Sequence, residues 1–429
     1  MALQAPDQAA NAGFLAPSLH SGTGRAGTRN PFATAGYRIW WLASVVAGLG
    51  VGIQMTTVPL FIKDRVSVDH RELAIAAALL CEQLPAALFA LLGGVIADRV
   101  ERRRILVRTY AVAGCVSLAY VLLSGSGTSV IWPVFFLAAT VGSAGAFTDP
   151  ARQSMMPQIL KSTQLQNGVI FGTMAFMASL VFIGPSVGGI VADAFSLTLA
   201  FAFEVVLLCL AAIFFSRVAT DVPVPTGKHV FHDLADGLRY ISHSPALVGI
   251  LLLGAVPGLF LVGPFAVTLV ATVKDTLHTS DRFVGLLWGA YGGGLLLGSI
   301  GLSLIRLPRR GFFLCFALFA AGAAMACYGA SSSIPLSIGI LLVSGIVGPA
   351  IFINFGVALL QENVERNMMG RVMSMWGLVF TVSSAAGYLQ AGIVSSALGP
   401  QVALIASTSI TSACGLLAML FLRPVTRLR

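Results

Sequence analysis

The sequence predicts an all-α integral membrane protein whose twelve transmembrane helices form two pseudo-symmetric six-helix bundles. Hydrophobic residues make up 57% of the 429 residues and charged residues only 10%, whereas soluble domains carry roughly 25% charged residues. Mean hydropathy is +0.88. The apolar residues occur in twelve runs, each near or above the ~20 residues that a helix needs to cross a bilayer. The longest internal connection, residues 217–244, falls halfway along the chain and separates six runs from six.

The predicted helices follow one another through short polar connections. The boundary between the fifth and sixth helices is the least distinct, because only residues 193–196 (DAFS) mark a turn there. The predicted helical segments are 38–62, 73–97, 105–124, 130–149, 166–192, 196–216, 245–272, 283–304, 312–330, 334–360, 370–394 and 398–422.

The remaining chain is assigned to tails and a linker. The first 36 residues are rich in small and polar residues and contain no apolar core of a signal peptide, so they are predicted to be a disordered tail. In the linker, Phe231, Leu234, Leu238 and Ile241 recur at helical spacing and predict a short amphipathic helix. The predicted domains are a tail (1–36), an N-terminal bundle (37–216), the linker (217–244), a C-terminal bundle (245–422) and a second tail (423–429).

Lysine and arginine are distributed unevenly between the two faces. With twelve spans both termini lie on one face, and that face receives 21 of the 26 basic residues. Because basic residues accumulate on the cytoplasmic side, both termini are predicted to face the cytoplasm. The net charge of +9 does not indicate a nucleic-acid binder, since the basic residues lie in short clusters between apolar runs. The five basic residues of the opposite face are Lys63, Arg65, Arg71, Lys274 and Arg282.

Charge is most concentrated in residues 93–106, GGVIADRVERRRIL, between the second and third helices, where four of fourteen residues are arginine. Anchoring at an anionic leaflet explains the arginines but not the ordered spacing of glycine, aspartate and arginine. This spacing resembles the G-x-x-x-D-R-x-x-R-R motif of the major facilitator superfamily (MFS), with Glu101 where many members have a small residue. The resemblance implies a conformational latch that closes the cytoplasmic side in the outward-facing state. The matching residues are Gly94, Asp98, Arg99, Arg102 and Arg103.

A second stretch, IGPSVGGIVAD in the fifth helix, is similar to the motif associated with antiporters and exporters of this superfamily. The match is partial, because Leu180 stands where a small residue is expected. Its physical meaning is a kinked helix with a small face that packs closely and rocks against a partner. The motif residues are Gly184, Pro185, Gly188 and Gly189.

Two further stretches narrow the resemblance. Residues 148–160 (TDPARQSMMPQIL) are predicted to open the loop between the fourth and fifth helices, and residues 362–377 occupy the corresponding place in the second half. Together they resemble the subgroup that contains enterobactin exporters and macrolide efflux proteins. Two departures matter. The second-half counterpart of the latch keeps its arginines but has no aspartate, so latching is predicted to be asymmetric. The first helix has no carboxylate after GLG, where many subgroup members carry one.

Two acids lie near the middle of predicted helices, Glu82 in the second and Glu204 in the sixth. A charged side chain at the bilayer centre costs roughly 2.5 kcal/mol or more, so each acid needs a reason to be there. A protonatable acid could couple transport to the proton gradient. The alternative is a structural acid that is protonated, hydrogen-bonded or wet, and Glu82 could simply line the outer vestibule.

Polar and aromatic residues within the apolar helices are candidates for the substrate cavity, because they can hydrogen-bond to or stack on an amphipathic ligand. Each of them, taken alone, is also compatible with packing between helices. Asp193 is predicted to be a solvated cap at the outer end of the fifth helix. The cavity candidates are Gln54, Trp288, Tyr291, Asn354, Trp376, Tyr388 and Gln390.

These observations predict a secondary active transporter in a bacterial inner membrane that exports a small amphipathic molecule, a siderophore, another secreted metabolite or a drug. The expected partners are the substrate, protons, membrane lipids and an outer-membrane efflux protein, and the expected functional unit is a monomer. Nutrient uptake by proton symport would use the same fold. An enzyme is disfavoured, because no catalytic groups cluster at one depth, and a non-transporting receptor is disfavoured by the embedded acids. No cofactor or metal is predicted, since no two of the six cysteines have a ligand spacing.

Overall fold

The computed structural model describes residues 30–97, 100–127, 129–219, 238–305, 307–365 and 368–428. Within these ranges the chain is helical, has no strand and contains the twelve predicted helices. Eleven of them are long and apolar enough to cross a bilayer, and the fourth is less apolar but has 28 residues. The helices are α1 (Ala35–Lys63), α2 (Val68–Ala97), α3 (Arg102–Gly125), α4 (Trp132–Ile159), α5 (Ser162–Ala194), α6 (Leu197–Ser216), α7 (Pro245–Thr276), α8 (Arg282–Leu304), α9 (Arg310–Gly329), α10 (Ile334–Asn363), α11 (Met369–Leu398) and α12 (Pro400–Phe421), followed by the short α13 (Arg423–Thr426).

The connection between α4 and α5 is shorter than predicted. Residues 148–160 do not open a loop, because α4 continues to Ile159 and α5 begins at Ser162. The polar residues in this stretch belong to the helix: Arg152 donates to Asp149 one turn earlier at 3.1 Å and stacks 3.6 Å above the ring of Phe176. Burial of one face of this turn against α5 keeps the chain helical despite its prolines and polar side chains.

The chain ends and the linker are described in part. Pro31–Ala33 form a short 3-10 helix next to α1, and Gln164 of α5 donates to the carbonyl oxygen of Asn30 at 3.1 Å. In the linker, residues 238–242 are helical. Ile241 is buried and Leu238 is exposed, whereas the other two residues of the predicted amphipathic helix lie outside the described ranges.

Two helices are interrupted by wide turns before a Gly-Pro pair. A π-helical segment, Ala178–Ile183, precedes Gly184 and Pro185 in α5, and Gly258–Val262 precedes Gly263 and Pro264 in α7. Proline has no N–H group and its ring pushes the preceding carbonyl away, so a wide turn absorbs the mismatch. The kink predicted for the fifth helix therefore has a defined geometry.

Six helices pack together on each side of the linker. In the first bundle α2 packs on α4 and α3 on α6, and in the second bundle α9 packs on α12 and α8 on α10. The largest contacts between the bundles are those of α2 with α11 and of α5 with α8, and α7 also touches α1 and α2.

The buried side chains show which side of the molecule is closed. We call the side of residues 30–34 and 423–428 the terminal face and the opposite side the far face. Near the terminal face each bundle has its own core, one around Trp40 and Phe215 and the other around Leu314 and Val372. Near the far face a single core runs through both bundles and includes Phe61 and Phe265. The bundles are therefore joined at the far face and have separate cores at the terminal face.

Candidate transport site and gate

Small residues allow α5 and α8 to approach closely where the bundles meet. A Cβ atom built on Gly285 of α8 would overlap the carbonyl oxygen of Pro185 in α5, and one on Gly292 would overlap that of Val181. In a regular α-helix the carbonyl oxygen of Val181 would accept a hydrogen bond from the N–H of residue 185, but Pro185 has no N–H to donate. The π turn therefore presents its carbonyl oxygens to a glycine face of the other bundle.

The residues of the antiporter-like motif lie on two sides of α5. Gly184 and Gly188 face α1, where a Cβ on Gly184 would lie 2.7 Å from the Cα of Gly52. Gly189 faces α8, where its Cβ would lie 2.9 Å from the backbone nitrogen of Gly285. The small residues thus seat α5 between a helix of its own bundle and a helix of the other bundle.

Ion pairs join the two bundles at the far face. Nζ of Lys63, at the end of α1, donates to Oδ2 of Asp281, just before α8, at 2.7 Å. Arg71 in the first turn of α2 pairs with Asp275 near the end of α7, and it also donates to Glu72 at 2.8 Å. The side chains of Arg71 and Glu72 are 4% and 5% exposed. Lys63 and Arg71 of the first bundle therefore pair with acids of the second bundle.

Asp281 is the centre of this arrangement. Lys274 is a second cation for the Asp281 carboxylate, at 2.6 Å. The backbone N–H of Asp281 donates to Oδ1 of Asp193 at 3.1 Å. Burial alone would raise the pKa of Asp281, but the hydrogen bonds and charges of Lys274 and Lys63 outweigh it, so the pKa lies below its ordinary value. Asp193, predicted to be a solvated cap, is exposed and also links α5 to the start of α8.

Glu204 lies inside the first bundle. It is 0% exposed, and its Oε1 lies 2.5 Å from the hydroxyl oxygen of Ser117 on α3, which is itself 3.0 Å from the carbonyl oxygen of Ala113. An ionised Glu204 can accept a hydrogen bond from the hydroxyl of Ser117. A protonated Glu204 can donate to Ser117 while the hydroxyl turns to Ala113. One hydroxyl therefore serves both protonation states of the buried carboxyl.

Glu82 is partly exposed and belongs to the same electrostatic group. Its carboxyl lies within electrostatic reach of Glu204, and Tyr120 is near both acids. Glu82 also influences Tyr388 of α11, which belongs to the other bundle. The backbone of Glu82 packs directly on α4, because a Cβ on Gly142 would overlap the Glu82 carbonyl oxygen. Glu82 is thus the embedded acid nearer the second bundle, because it lies on α2, the helix that packs on α11.

The aromatic cavity candidates of the second bundle divide between the cores. Trp288 and Tyr291 are 7% and 9% exposed and surround Phe265 in the far-face core, with ring centroids 4.8 and 5.4 Å from it. Trp376 lies nearer the terminal face, where its ring fills the space above Gly254 and Gly356. These rings are parts of the packing between helices.

The polar cavity candidates have neighbours on other helices. Asn354 donates to Ser299 of α8 at 3.1 Å, and Gln390 donates to Ser407 of α12 at 3.1 Å. Gln54 is 8% exposed in α1. Asn354 and Gln390 therefore make the interhelical contacts that the packing alternative describes, and their role toward a substrate stays a prediction.

The predicted latch is described only in part. Gly94 belongs to α2, whereas Asp98 and Arg99 lie outside the described residues. Arg103 donates to Glu101 at 2.8 Å, so the acid that departs from the superfamily pattern holds one predicted latch residue. In the second half, Arg310 pairs with Glu362 at the end of α10. Among the described residues Nε of Arg102 is buried without a hydrogen-bond partner.

The family model for transmembrane secretion effectors matches residues 26–429. The chain belongs to this family. Its relatives include the enterobactin exporter of Citrobacter koseri, 23% identical over 92% of this chain and 93% of the exporter. Macrolide efflux protein A of Streptococcus pyogenes is 21% identical over 74% of this chain and 79% of its own length. The subgroup resemblance is confirmed, and the protein is a multi-pass membrane protein of the MFS.

Solved structures with low sequence identity share the fold. The human organic anion transporter MFSD10 superposes with a TM-score of 0.63 at 15% identity, covering 89% of this chain and 98% of its own. A variant of the nucleoside transporter NupG gives a TM-score of 0.67 at 14% identity, covering 90% and 99%. The predicted MFS fold of two six-helix bundles is therefore confirmed for this secretion effector.

The sequence analysis did not identify the hydroxyl partner of Glu204 or the ion pairs of the far face. Ser117 is a common small residue in an apolar run, and nothing in its surroundings marks it as the neighbour of Glu204. The ion pairs of the far face left a signal in the sequence, because the few basic residues assigned to that face are accompanied there by two acids distant in the chain, Asp275 and Asp281.

Proposed function

We propose that this protein exports a small amphipathic molecule across a bacterial inner membrane by alternating access, in exchange for protons. The two bundles form one core at the far face and separate cores at the terminal face. This is the form of a transporter closed on one side. The names of the relatives in Citrobacter koseri and Streptococcus pyogenes support a siderophore, a macrolide or a molecule of similar character as the substrate.

The observation that carries the proton part of the proposal is the environment of Glu204. A carboxyl that is 0% exposed in an apolar bundle is costly to keep without a purpose. The hydroxyl of Ser117 is placed to hydrogen-bond to its Oε1 with or without a proton, whereas its Oε2 is buried without a hydrogen-bond partner among the described residues. We assign proton binding to the pair of Glu204 and Glu82, with Glu82 as the member that is partly exposed and near the second bundle.

The orientation follows the distribution of basic residues. With 21 of 26 basic residues on the terminal face, that face would lie in the cytoplasm, and the closed far face would lie toward the periplasm. A monomer contains both bundles and needs no second copy to form the path. An outer-membrane efflux protein would receive the substrate on the far side.

The test uses inside-out proteoliposomes with an imposed proton gradient, a pH-sensitive dye and enterobactin or a macrolide as the substrate. In this geometry, export in the cell appears as substrate entering the lumen while protons leave it. We expect this coupled movement in the wild type. The Glu204→Gln variant, which keeps the shape and a hydrogen bond to Ser117, should bind substrate and lose coupling.

The control is Glu365→Gln, the same chemical change at an exposed residue just before α11, which should leave coupling unchanged. The uptake alternative predicts that substrate and protons move in the same direction. Transport that persists in both Glu204→Gln and Glu82→Gln after collapse of the gradient would rule out proton exchange through these acids.

A further inference from the structure

The carboxyl of Glu204 has one oxygen without a hydrogen bond. Its Oε1 lies 2.5 Å from the hydroxyl oxygen of Ser117, whereas its Oε2 is buried and has no hydrogen-bond partner among the described residues. Buried polar atoms are nearly always hydrogen-bonded, because leaving one unpaired in an apolar interior is costly. A carboxyl that binds and releases a proton is satisfied in both states only if each oxygen has a partner. A second polar side chain is therefore expected beside Oε2.

Three helices of the first bundle, α1, α3 and α6, meet around Glu204 at one level. One turn toward the far face they are joined by a layer of three aromatic rings, whose centroids are 4.9 to 5.9 Å apart: Phe61, Tyr120 and Phe201. One turn toward the terminal face, Leu208 packs over two glycines. A Cβ on Gly50 of α1 would lie 2.8 Å from Cδ2 of Leu208, and one on Gly114 of α3 would lie 3.9 Å from its Cβ. The carboxyl of Glu204 thus lies between two layers of apolar packing.

Thr57 is the residue of α1 that lies at this level. It precedes Phe61 by four residues, so its side chain is one helical turn from the ring layer on the same face of α1. It is 0% exposed and is the second hydroxyl beside the Glu204 carboxyl, after that of Ser117. Its Oγ1 donates to the carbonyl oxygen of Ile53 on its own helix at 3.2 Å. The oxygen of this hydroxyl is therefore free to accept a further hydrogen bond.

We propose that Thr57 is a second positioning residue for the proton of Glu204, an inference that rests on the proposed proton exchange. When the carboxyl is ionised, the hydroxyl of Thr57 turns away from Ile53 and donates to Oε2. When a proton is bound at Oε2, this O–H donates to Oγ1 of Thr57, and the hydroxyl proton of Thr57 returns to the Ile53 carbonyl. Oε1 accepts from Ser117 in both states. Proton binding therefore changes one side-chain hydrogen bond of α1.

The other titratable groups near Glu204 lie on neighbouring helices. Glu82 of α2 and Tyr120 of α3 interact with its carboxyl electrostatically. Neither belongs to α1. Substitutions of uncharged residues in α1 consequently test the hydroxyl of Thr57 without changing the set of titrating groups.

The experiment records the infrared difference spectrum of the purified full-length protein between acidic and alkaline buffer. The band of the protonated Glu204 carboxyl is the one that is lost in Glu204→Gln. Thr57→Val keeps the shape of the side chain and removes its hydroxyl. We expect it to shift this band to higher frequency, because the C=O stretch of a protonated carboxyl rises when the carboxyl loses a hydrogen bond. Thr57→Ser, which keeps the hydroxyl, should retain the wild-type frequency.

The matched control is Thr56→Val, the same chemical change at the next residue of α1. Thr56 is also 0% exposed, but its hydroxyl donates to the carbonyl oxygen of Pro185 in α5 at 3.2 Å, so the Glu204 band should not move. Ser117→Ala is the positive control and should shift the band upward, because it removes the partner of Oε1. If Thr57→Val does not fold, Thr57→Ala removes the same hydroxyl and should shift the band in the same direction.

The outcomes separate the role of Thr57 from the proposed function. A Glu204 band that is present in the wild type and keeps its frequency without the Thr57 hydroxyl would overturn the role of Thr57 and leave proton binding by Glu204 intact. Equal shifts in Thr57→Val and Thr56→Val would assign the effect to a general change in the packing of α1 and would also overturn it. The absence of a Glu204 band in the wild type would overturn proton binding by Glu204 itself, and the role of Thr57 with it.

Discussion

Lys63 at the end of α1 donates to both carboxylate oxygens of Asp281 before α8, with Nζ to oxygen distances of 2.9 and 2.7 Å. This contact joins the two bundles at the face opposite the termini. The side chains are only 15% and 25% exposed, so water and salt screen the attraction less than at an open surface. Any movement that opens the far face must separate this pair.

Removing the cross-bundle cation should weaken closure of the far face. In Lys63→Met, Asp281 keeps Lys274, so its charge is not left unpaired. We expect the free energy that favours the closed far face to fall by roughly 1–2 kcal/mol. This corresponds to about a tenfold shift of the equilibrium toward the open state. Hydrogen–deuterium exchange of residues 277–284 measures this shift.

The control for this variant is Asp69→Asn, an exposed acid on the same face for which the described structure shows no cross-bundle ion pair. It should exchange like the wild type. Protection of residues 277–284 that is the same in wild type and Lys63→Met would show that the pair does not hold the far face closed.

Closure at the far face should be insensitive to pH over the physiological range. The pKa of Asp281 lies below its ordinary value of 3.8 because its lysine partners outweigh burial. A depressed pKa means that the contribution of the pair is fully present above the ordinary pKa and is lost as the pH falls through the lowered value. Protection of residues 277–284, corrected for the intrinsic exchange rate, should therefore be constant from about pH 5 to pH 8 and fall only below about pH 4. A marked loss between pH 7 and pH 5 would assign closure to another titrating group.

The glycine face of α8 should control closure through sterics. Gly285→Ala places a methyl group on the carbonyl oxygen of Pro185, and a backbone atom cannot move aside as a flexible side chain does. We expect the bundles to separate at this face, with exchange of residues 277–284 at least tenfold faster. Gly301→Ala on the same helix has no atom within 4 Å of the new methyl group and should leave exchange unchanged. Equal behaviour of the two variants would contradict the assigned contact.

The contact of α5 with α1 should determine the stability of the first bundle. In Gly184→Ala the new methyl group would lie 2.7 Å from the Cα of Gly52, and such overpacking costs about 1–3 kcal/mol. Thermal unfolding in detergent should show a lower melting temperature. Gly145→Ala, whose methyl group meets nothing within 4 Å, should melt like the wild type or slightly higher, since alanine favours the helix. A Gly184→Ala variant as stable as wild type would mean that α1 and α5 separate easily.

The sequence predicted the helices well where the signal was local. All twelve helices were recognised from runs of apolar residues, because transfer of such a run into lipid depends on its own composition. The prediction was wrong at residues 148–160, where polar residues indicated a loop. There the burial of Arg152 against Phe176 keeps α4 helical beyond the apolar run. That stabilisation comes from a helix that follows in the chain and cannot be read from composition.

The candidate site was predicted unevenly for a related reason. Glu82 and Glu204 were evident, because acids are rare in apolar runs and each is costly in lipid. Their proximity was not evident, since it depends on how α2 packs on α4, α4 on α3 and α3 on α6. The hydroxyl of Ser117 has no distinguishing feature in the sequence, because serine is common in helices that pack closely.

The sequence by itself determined the class of the protein, the number of its helices, their motifs and the face that receives the basic residues. These are properties of segments about 20 residues long, and neighbouring residues decide them. The tertiary structure alone decided which side is closed and which charges close it. Lys63 and Asp281 are 218 residues apart in the chain, and their contact requires two bundles to pack through the glycine face of α8. Contacts of that kind depend on the shapes of distant helices, so no local pattern records them.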